Sequence, residues 1–142
     1  MKAQIICLKD NLWMETLSKL RHDFYHLPEY VNLEATRTNA NAEAILITDQ
    51  EKIFFLPYLW RDCNELFKNE LNCFDVVSPY GYPGFLLNDS AASTPDFFSV
   101  AIEYLLQTWR NKKICSAFLR LHPLLNQNVN LLAVNDFFTV IS

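Results

Sequence analysis

The side chains that could carry chemistry are few. His22 and His26 stand four apart, a spacing that would offer two imidazoles to a metal from one face of a helix. Pro28 follows closely and no third ligand stands at a matching interval, so the pair reads as polar residues around a helix start. Ser78, His122 and Asp75 are the residue types of a nucleophile triad, but no G-x-S-x-G setting surrounds the serine. Arg120 sits inside an apolar run, where an unpaired guanidinium is costly to bury. It either meets water or a carboxylate, or lines an anion-binding cleft with His122. Cys7, Cys63, Cys73 and Cys115 lie far apart, with no C-x-x-C and no paired Cys/His spacing. That pattern argues against a zinc site and for free core thiols, so no metal is expected.

Both glycines of the chain fall in one heptapeptide, Ser78-Pro79-Tyr80-Gly81-Tyr82-Pro83-Gly84. No glycine-rich phosphate cradle can therefore exist elsewhere, and no cofactor is expected. Pro79 and Pro83 fix φ and remove two backbone donors, while Gly81 and Gly84 permit positive φ. The segment follows a strand-like run (Phe74, Val76, Val77) and precedes another apolar run (Phe85 to Leu87). It reads as a stiff, aromatic-walled loop leaving a sheet, placed where backbone must turn tightly or approach something closely.

The elements that position these residues follow from hydrophobic spacing. Residues 1–8 start as a short strand; Asp10 or Asn11 caps a helix carrying Leu12, Trp13, Leu17 and Leu20 through Arg21. Pro28 opens a second helix with Tyr30, Val31 and residues 33–35, after a stretch dense in aromatics and histidine, and the polar residues 36–41 break it. Residues 44–48 and 52–59 form a hairpin about a turn at 49–51, with Pro57 marking an edge or a bulge. Residues 61–72 read as a loop with a helical turn, and 88–94 as a polar connector. Thr94 or Ser93 caps a helix opened by Pro95, with Phe97, Phe98, Ala101, Ile102, Leu105, Leu106 and Trp109 on one face. Residues 114–121 form a strand that ends at Pro123; two further short strands are expected at 131–134 and 137–141.

A chain of 142 residues has room for one domain, residues 1–142, and its 51% hydrophobic content with 11 phenylalanines is built for packing. The net charge is –4 and the basic residues are scattered, so nucleic acid and anionic membrane surfaces are not expected partners. No apolar run approaches the ~20 residues that span a bilayer. Absence of a secretory signal and unpaired cysteines point to a soluble, cytoplasmic protein.

Three segments in order carry a resemblance to a known family: Asp23-Phe24-Tyr25-His26-Leu27-Pro28-Glu29-Tyr30, then Val77 through Gly84, then Phe118-Leu119-Arg120-Leu121-His122-Pro123-Leu124-Leu125. Together they resemble the D-x-Y-H-x-P-x-Y, S-P-Y-G-Y-x-G and F-x-R-x-H-P motifs in the N-terminal half of Fem-like proteins of the GNAT acyltransferase superfamily. The resemblance implies an α+β fold, a mixed and largely antiparallel sheet flanked by helices, and acyl or aminoacyl transfer to an amine. A small amine or peptidoglycan-precursor acceptor is implied as the ligand. By position, Tyr25, His26 and Tyr30 would lie near the cleft, Ser78, Tyr80, Gly81 and Tyr82 would form its wall, and Arg120 and His122 would face it from a strand end. Such proteins carry two domains in tandem, and neither the second domain nor an R/Q-x-x-G-x-G/A coenzyme turn is found in this sequence. The expectation is an acceptor-binding half, inactive alone, with a complementary GNAT-like domain as its partner. The alternatives are an enzyme completed by homodimerisation and a non-catalytic interaction module.

Overall fold

A computed structural model describes residues 1–63 and 73–126. Their elements run β1 (Lys2–Ile6), α1 (Asn11–Leu17), a 3-10 turn (Phe24–His26), α2 (Pro28–Thr38), β2 (Asn41–Asp49), β3 (Lys52–Asp62), β4 (Phe74–Val77), β5 (Leu86–Leu87), α3 (Asp89–Ala92), α4 (Pro95–Asn111) and β6 (Ile114–Phe118). The sheet order is β1-β2-β3-β4-β6, and β5 pairs with β3 at Phe54 and Phe55. Every pairing is antiparallel except β4 with β6, which needs a long crossover and obtains it through α3 and α4. The fold is α+β, a mixed and mostly antiparallel sheet flanked by helices.

Helices cover both faces of the sheet. Alternation along β2 sends Ile45 and Ile47 to one side, where they pack with Phe97, Ala101, Ile102 and Leu105 of α4. Ala44 and Leu46 go to the other, against Trp13 and Leu17 of α1 and Val31 and Ala35 of α2. Covering both faces explains why residues 44–47 and 53–56 read as unbroken apolar runs. On the α4 face Glu43 accepts a hydrogen bond from the Tyr58 hydroxyl and pairs with Lys112 Nζ at 3.0 Å.

Several elements differ from their expected bounds. Helix α1 stops at Leu17 rather than reaching Arg21, where Ser18 Oγ bonds back to the Glu15 carbonyl at 2.6 Å. Helix α2 continues through the polar residues to Thr38 and closes on Asn39 with φ 54°; those residues are its exposed face, not a break. Pro57 lies within β3, an interior strand, and makes neither an edge strand nor a bulge against β2. It falls between the β5 pairing at Phe54–Phe55 and the β4 pairing from Leu59, so no strand lies opposite it on that side and its missing N–H costs little. The connector at 88–94 contains α3. Strand β6 ends at Phe118 instead of Leu121, since the Arg120 N–H goes to Ser78 Oγ at 3.0 Å. The loop residues 64–72 and the strands expected at 131–134 and 137–141 lie outside the described residues.

The cysteines are not the scattered core thiols expected from their spacing. Cys7 and Cys115 are exposed, and Cys63, Cys73 and Cys115 bring their sulfurs within 4.8 Å of one another. Among the described residues no helix is long and apolar enough to cross a membrane.

Asn88 joins the hairpin to the crossover. Its Oδ1 accepts from Ile53 N at 3.0 Å and from Ala91 N at 3.1 Å, and its Nδ2 donates to the Glu51 carbonyl at 2.6 Å. Asn88→Ala removes a helix cap and two tertiary bonds together. Chemical denaturation should show a loss of about 2–3 kcal/mol, while Ala at the neighbouring exposed Asp89 should cost under ~0.5 kcal/mol.

Candidate functional site

The site is built on Asp23. This residue caps the 3-10 turn: its Oδ1 accepts from Tyr25 N at 2.9 Å, and its backbone N–H donates to His26 Nδ1 at 3.1 Å. With Nδ1 an acceptor, the His26 proton is on Nε2, which donates to the Pro83 carbonyl at 2.7 Å. The His26 carbonyl in turn accepts from Trp13 Nε1 at 2.9 Å. The other Asp23 oxygen, Oδ2, accepts from His122 Nε2 at 2.5 Å, and His122 Nδ1 accepts from the Leu124 and Leu125 N–H groups, each at 3.1 Å. The partners thus fix one tautomer for each histidine.

The same network holds the proline- and glycine-rich loop. Gly84 N donates to the Arg120 carbonyl at 2.8 Å, and Asn126 bridges His122 N and the Phe85 carbonyl through its side chain. The Tyr30 hydroxyl donates to the Tyr80 carbonyl at 2.7 Å, and Tyr80 N donates to Glu34 Oε1 at 3.0 Å. Burial, followed by the charge of Glu34, raises the Tyr30 pKa, so the phenol keeps the proton it donates. Gly81 has φ +100° and packs on Tyr25, whose ring lies 2.2 Å from where a Cβ would stand. Gly84 has φ +55°, and a Cβ there would stand 2.0 Å from Asn126 Oδ1 and 2.7 Å from His122 N. Both glycines serve close approach, as the loop's composition suggested.

A groove of about 170 Å³ opens beside this frame. Of the residues expected at the cleft, Ser78, Tyr80 and Arg120 line it; Tyr25, His26, Tyr30, Gly81, Tyr82 and His122 do not. His26 and His122 are buried, and their ring nitrogens are committed to holding the loop. Tyr82 is exposed, and Tyr25 and Tyr30 form a ring cluster with Phe24. The sequence reading missed four charged or aromatic contributors: Glu34, Arg37, Arg61 and Phe118. The first two stand at an i,i+3 spacing on α2 that could have signalled a pair. Arg61 had no local signal, since only strand register brings it there.

Charge in the groove is uneven. Arg37 grips Glu34 with two bonds, Nε to Oε2 at 2.8 Å and the second guanidinium nitrogen to Oε1 at 2.9 Å. That grip outweighs burial and holds the Glu34 carboxyl below its usual pKa. Arg61 pairs with Asp75 at 2.6 and 3.1 Å. Arg120 is exposed, and among the described residues its guanidinium has no carboxylate within ion-pair distance. An anion entering the groove would meet this charge first. The shared cleft of Arg120 with His122 does not form, because His122 turns toward Asp23.

The other constellations do not assemble either. Ser78 Oγ accepts from Arg120 N, His122 is bound to Asp23 and Asp75 to Arg61, so these three residues form no triad. His22 is exposed with Nδ1 2.9 Å from the Leu20 carbonyl, while His26 is buried against Pro83. Comparison with family models, with curated proteins and with solved structures finds no match.

Two outcomes test this frame. Burial lowers the His26 pKa below 6.5 more than the nearby Asp23 and the Pro83 bond raise it. The unfolded chain then binds the proton more readily, so the contribution of neutral His26 is complete above about pH 6.5 and is lost as pH falls through the folded value. Denaturation between pH 7.5 and 5.5 should show stability falling by up to about 1.4 kcal/mol per pH unit, and a less steep fall in His26→Gln. Gly81→Ala, strained and thrust into Tyr25, should lose ~2 kcal/mol or more in the same assay.

Proposed function

We propose that this chain is a Fem-type acyl- or aminoacyl-transferase-like domain that binds the acceptor and is inactive by itself. The observation that carries the reading is the Arg120 guanidinium, without a carboxylate partner among the described residues, in a groove edged by Tyr80 and Phe118. Two kinds of support converge on it. The three segments that resemble Fem-like motifs are far apart in sequence yet joined by direct bonds: Asp23 to His122, His26 to Pro83, and Gly84 to Arg120. The α+β architecture is also of the kind that the resemblance implies.

In this reading Arg120 receives a carboxylate or phosphate of the acceptor through charge-assisted hydrogen bonds. Arg37 and Arg61 are held back by their own carboxylates and contribute field more than contact. The exposed rings of Tyr80 and Phe118 cover an apolar part of the ligand, and the Ser78 hydroxyl is placed to donate to it. The acceptor amine would then be presented to an acyl group carried by a complementary domain. The four free cysteines suit a reducing, cytoplasmic setting.

A second reading, a non-catalytic interaction module or a homodimer, is favoured by one feature. Phe24, Tyr80, Tyr82 and Phe118 are each more than half exposed, an aromatic surface of the kind that protein partners cover.

Calorimetry with a nucleotide-linked peptidoglycan precursor tests the first reading. Wild type should bind, Arg120→Ala should weaken binding at least tenfold with an unchanged melting temperature, and acetyl-CoA should not bind. Equal affinity in Arg120→Ala, or no binding by wild type, removes the acceptor role. Light scattering that shows a dimer dissociated by Tyr82→Ala would favour the second reading.

A further inference from the structure

The residues that the function above leaves unused include three of the four cysteines. Cys63 follows the last residue of β3, Cys73 precedes the first of β4, and they face each other: Cys63 N donates to the Cys73 carbonyl at 3.1 Å, one step beyond the Asp62–Phe74 pair. Cys115 comes from β6 on the far side of β4. There Phe74 pairs with Ile114 but Asp75 pairs with Ser116, so Cys115 is the extra residue of a bulge. Bulges re-aim side chains, and this one brings the third sulfur to the first two. The sulfurs stand within 4.8 Å of one another, at a buried, a half-buried and an exposed position. Cys115 Sγ also lies 3.3 Å from the Phe74 carbonyl, which limits its rotation.

We infer that Cys63, Cys73 and Cys115 form a binding site for a thiophilic divalent cation of the zinc class. Thiolates about 2.3 Å from a tetrahedral zinc ion stand roughly 3.8 Å apart, so the trio needs to contract by only about 1 Å. Soft sulfur donors select zinc-like ions over magnesium or calcium. Three protein ligands leave the fourth position open to water or an added ligand. The balance is one M²⁺ and three thiols giving a tris-thiolate with net charge –1 and three protons. Free thiols are largely protonated at neutral pH, and a thiolate-binding ion releases those protons. The exposed Cys115 gives the ion a way in.

The experiment uses the full chain, reduced and stripped of metal, titrated with Co²⁺ and then with Zn²⁺. A thiolate-to-cobalt charge-transfer band should saturate at one equivalent, with the strong visible absorption of a tetrahedral ion, and Zn²⁺ should abolish it. In weak buffer an indicator should register two to three protons released per ion. Cys115→Ser should lower zinc affinity at least tenfold and Cys7→Ser should leave it unchanged; circular dichroism confirms the fold of each. Should Cys115→Ser unfold, Cys73→Ser carries the same comparison. Absence of the band, or equal affinity in the trio variant and wild type, overturns the site. So does a trio disulfide on air oxidation combined with no cobalt spectrum in the reduced chain, which would mark a redox pair instead.

Discussion

A single carboxylate connects two distant stretches of the chain. Asp23 offers one oxygen to the turn that begins α2 and the other to His122, which lies beyond β6. Through its backbone N–H it also fixes the His26 tautomer that holds Pro83. The turn before α2 is thus tied to two segments that the β4–β6 ladder already brings side by side. The groove draws on that tie and on the β4–β6 pairing together, since Ser78 and Tyr80 follow β4, Arg120 follows β6, and Glu34 and Arg37 come from α2. A half-exposed acid does this effectively because its partners are buried imidazoles and backbone donors, which have little water to turn to.

The division of labour within the site has a simple physical basis. Groups that must be neutral or fully bonded to be buried, the two histidines and Asn126, lie underneath and hold the loop. Groups that can remain charged lie at the surface, where water screens them. Of the three guanidiniums in the groove, two already have carboxylates and one has none among the described residues. Among the described residues the guanidinium charge in the groove that no carboxylate already balances is therefore that of Arg120. The aromatic rings beside it are exposed because the loop backbone, not their side chains, is what α2 grips at Tyr80.

Much of the architecture was legible in the order of residues. Apolar period and Pro/Asp openings placed α2, α4 and the hairpin, and the concentration of both glycines in one loop marked a true close approach at Gly81 and Gly84. What was not legible depended on register between distant strands. Pro57 looked like an edge residue because nothing local tells that two short strands leave a gap opposite it. The cysteines looked scattered because spacing along a chain says nothing of a parallel β4–β6 pair with a bulge. His122 looked like a cleft residue beside Arg120, since alternation puts them on one face of a strand. The strand had already ended at Phe118, and beyond it the chain turns the imidazole inward.

The bond between Asp23 and His122 joins positions 99 residues apart. Closing so long a loop carries a large entropic penalty that no local contact offsets early on. The groove needs residues from both sides of that separation, so on the ribosome it cannot exist until Arg120 and His122 have left the exit tunnel. A chain cut short before Arg120 therefore lacks the guanidinium of the groove, however much of its sheet has formed.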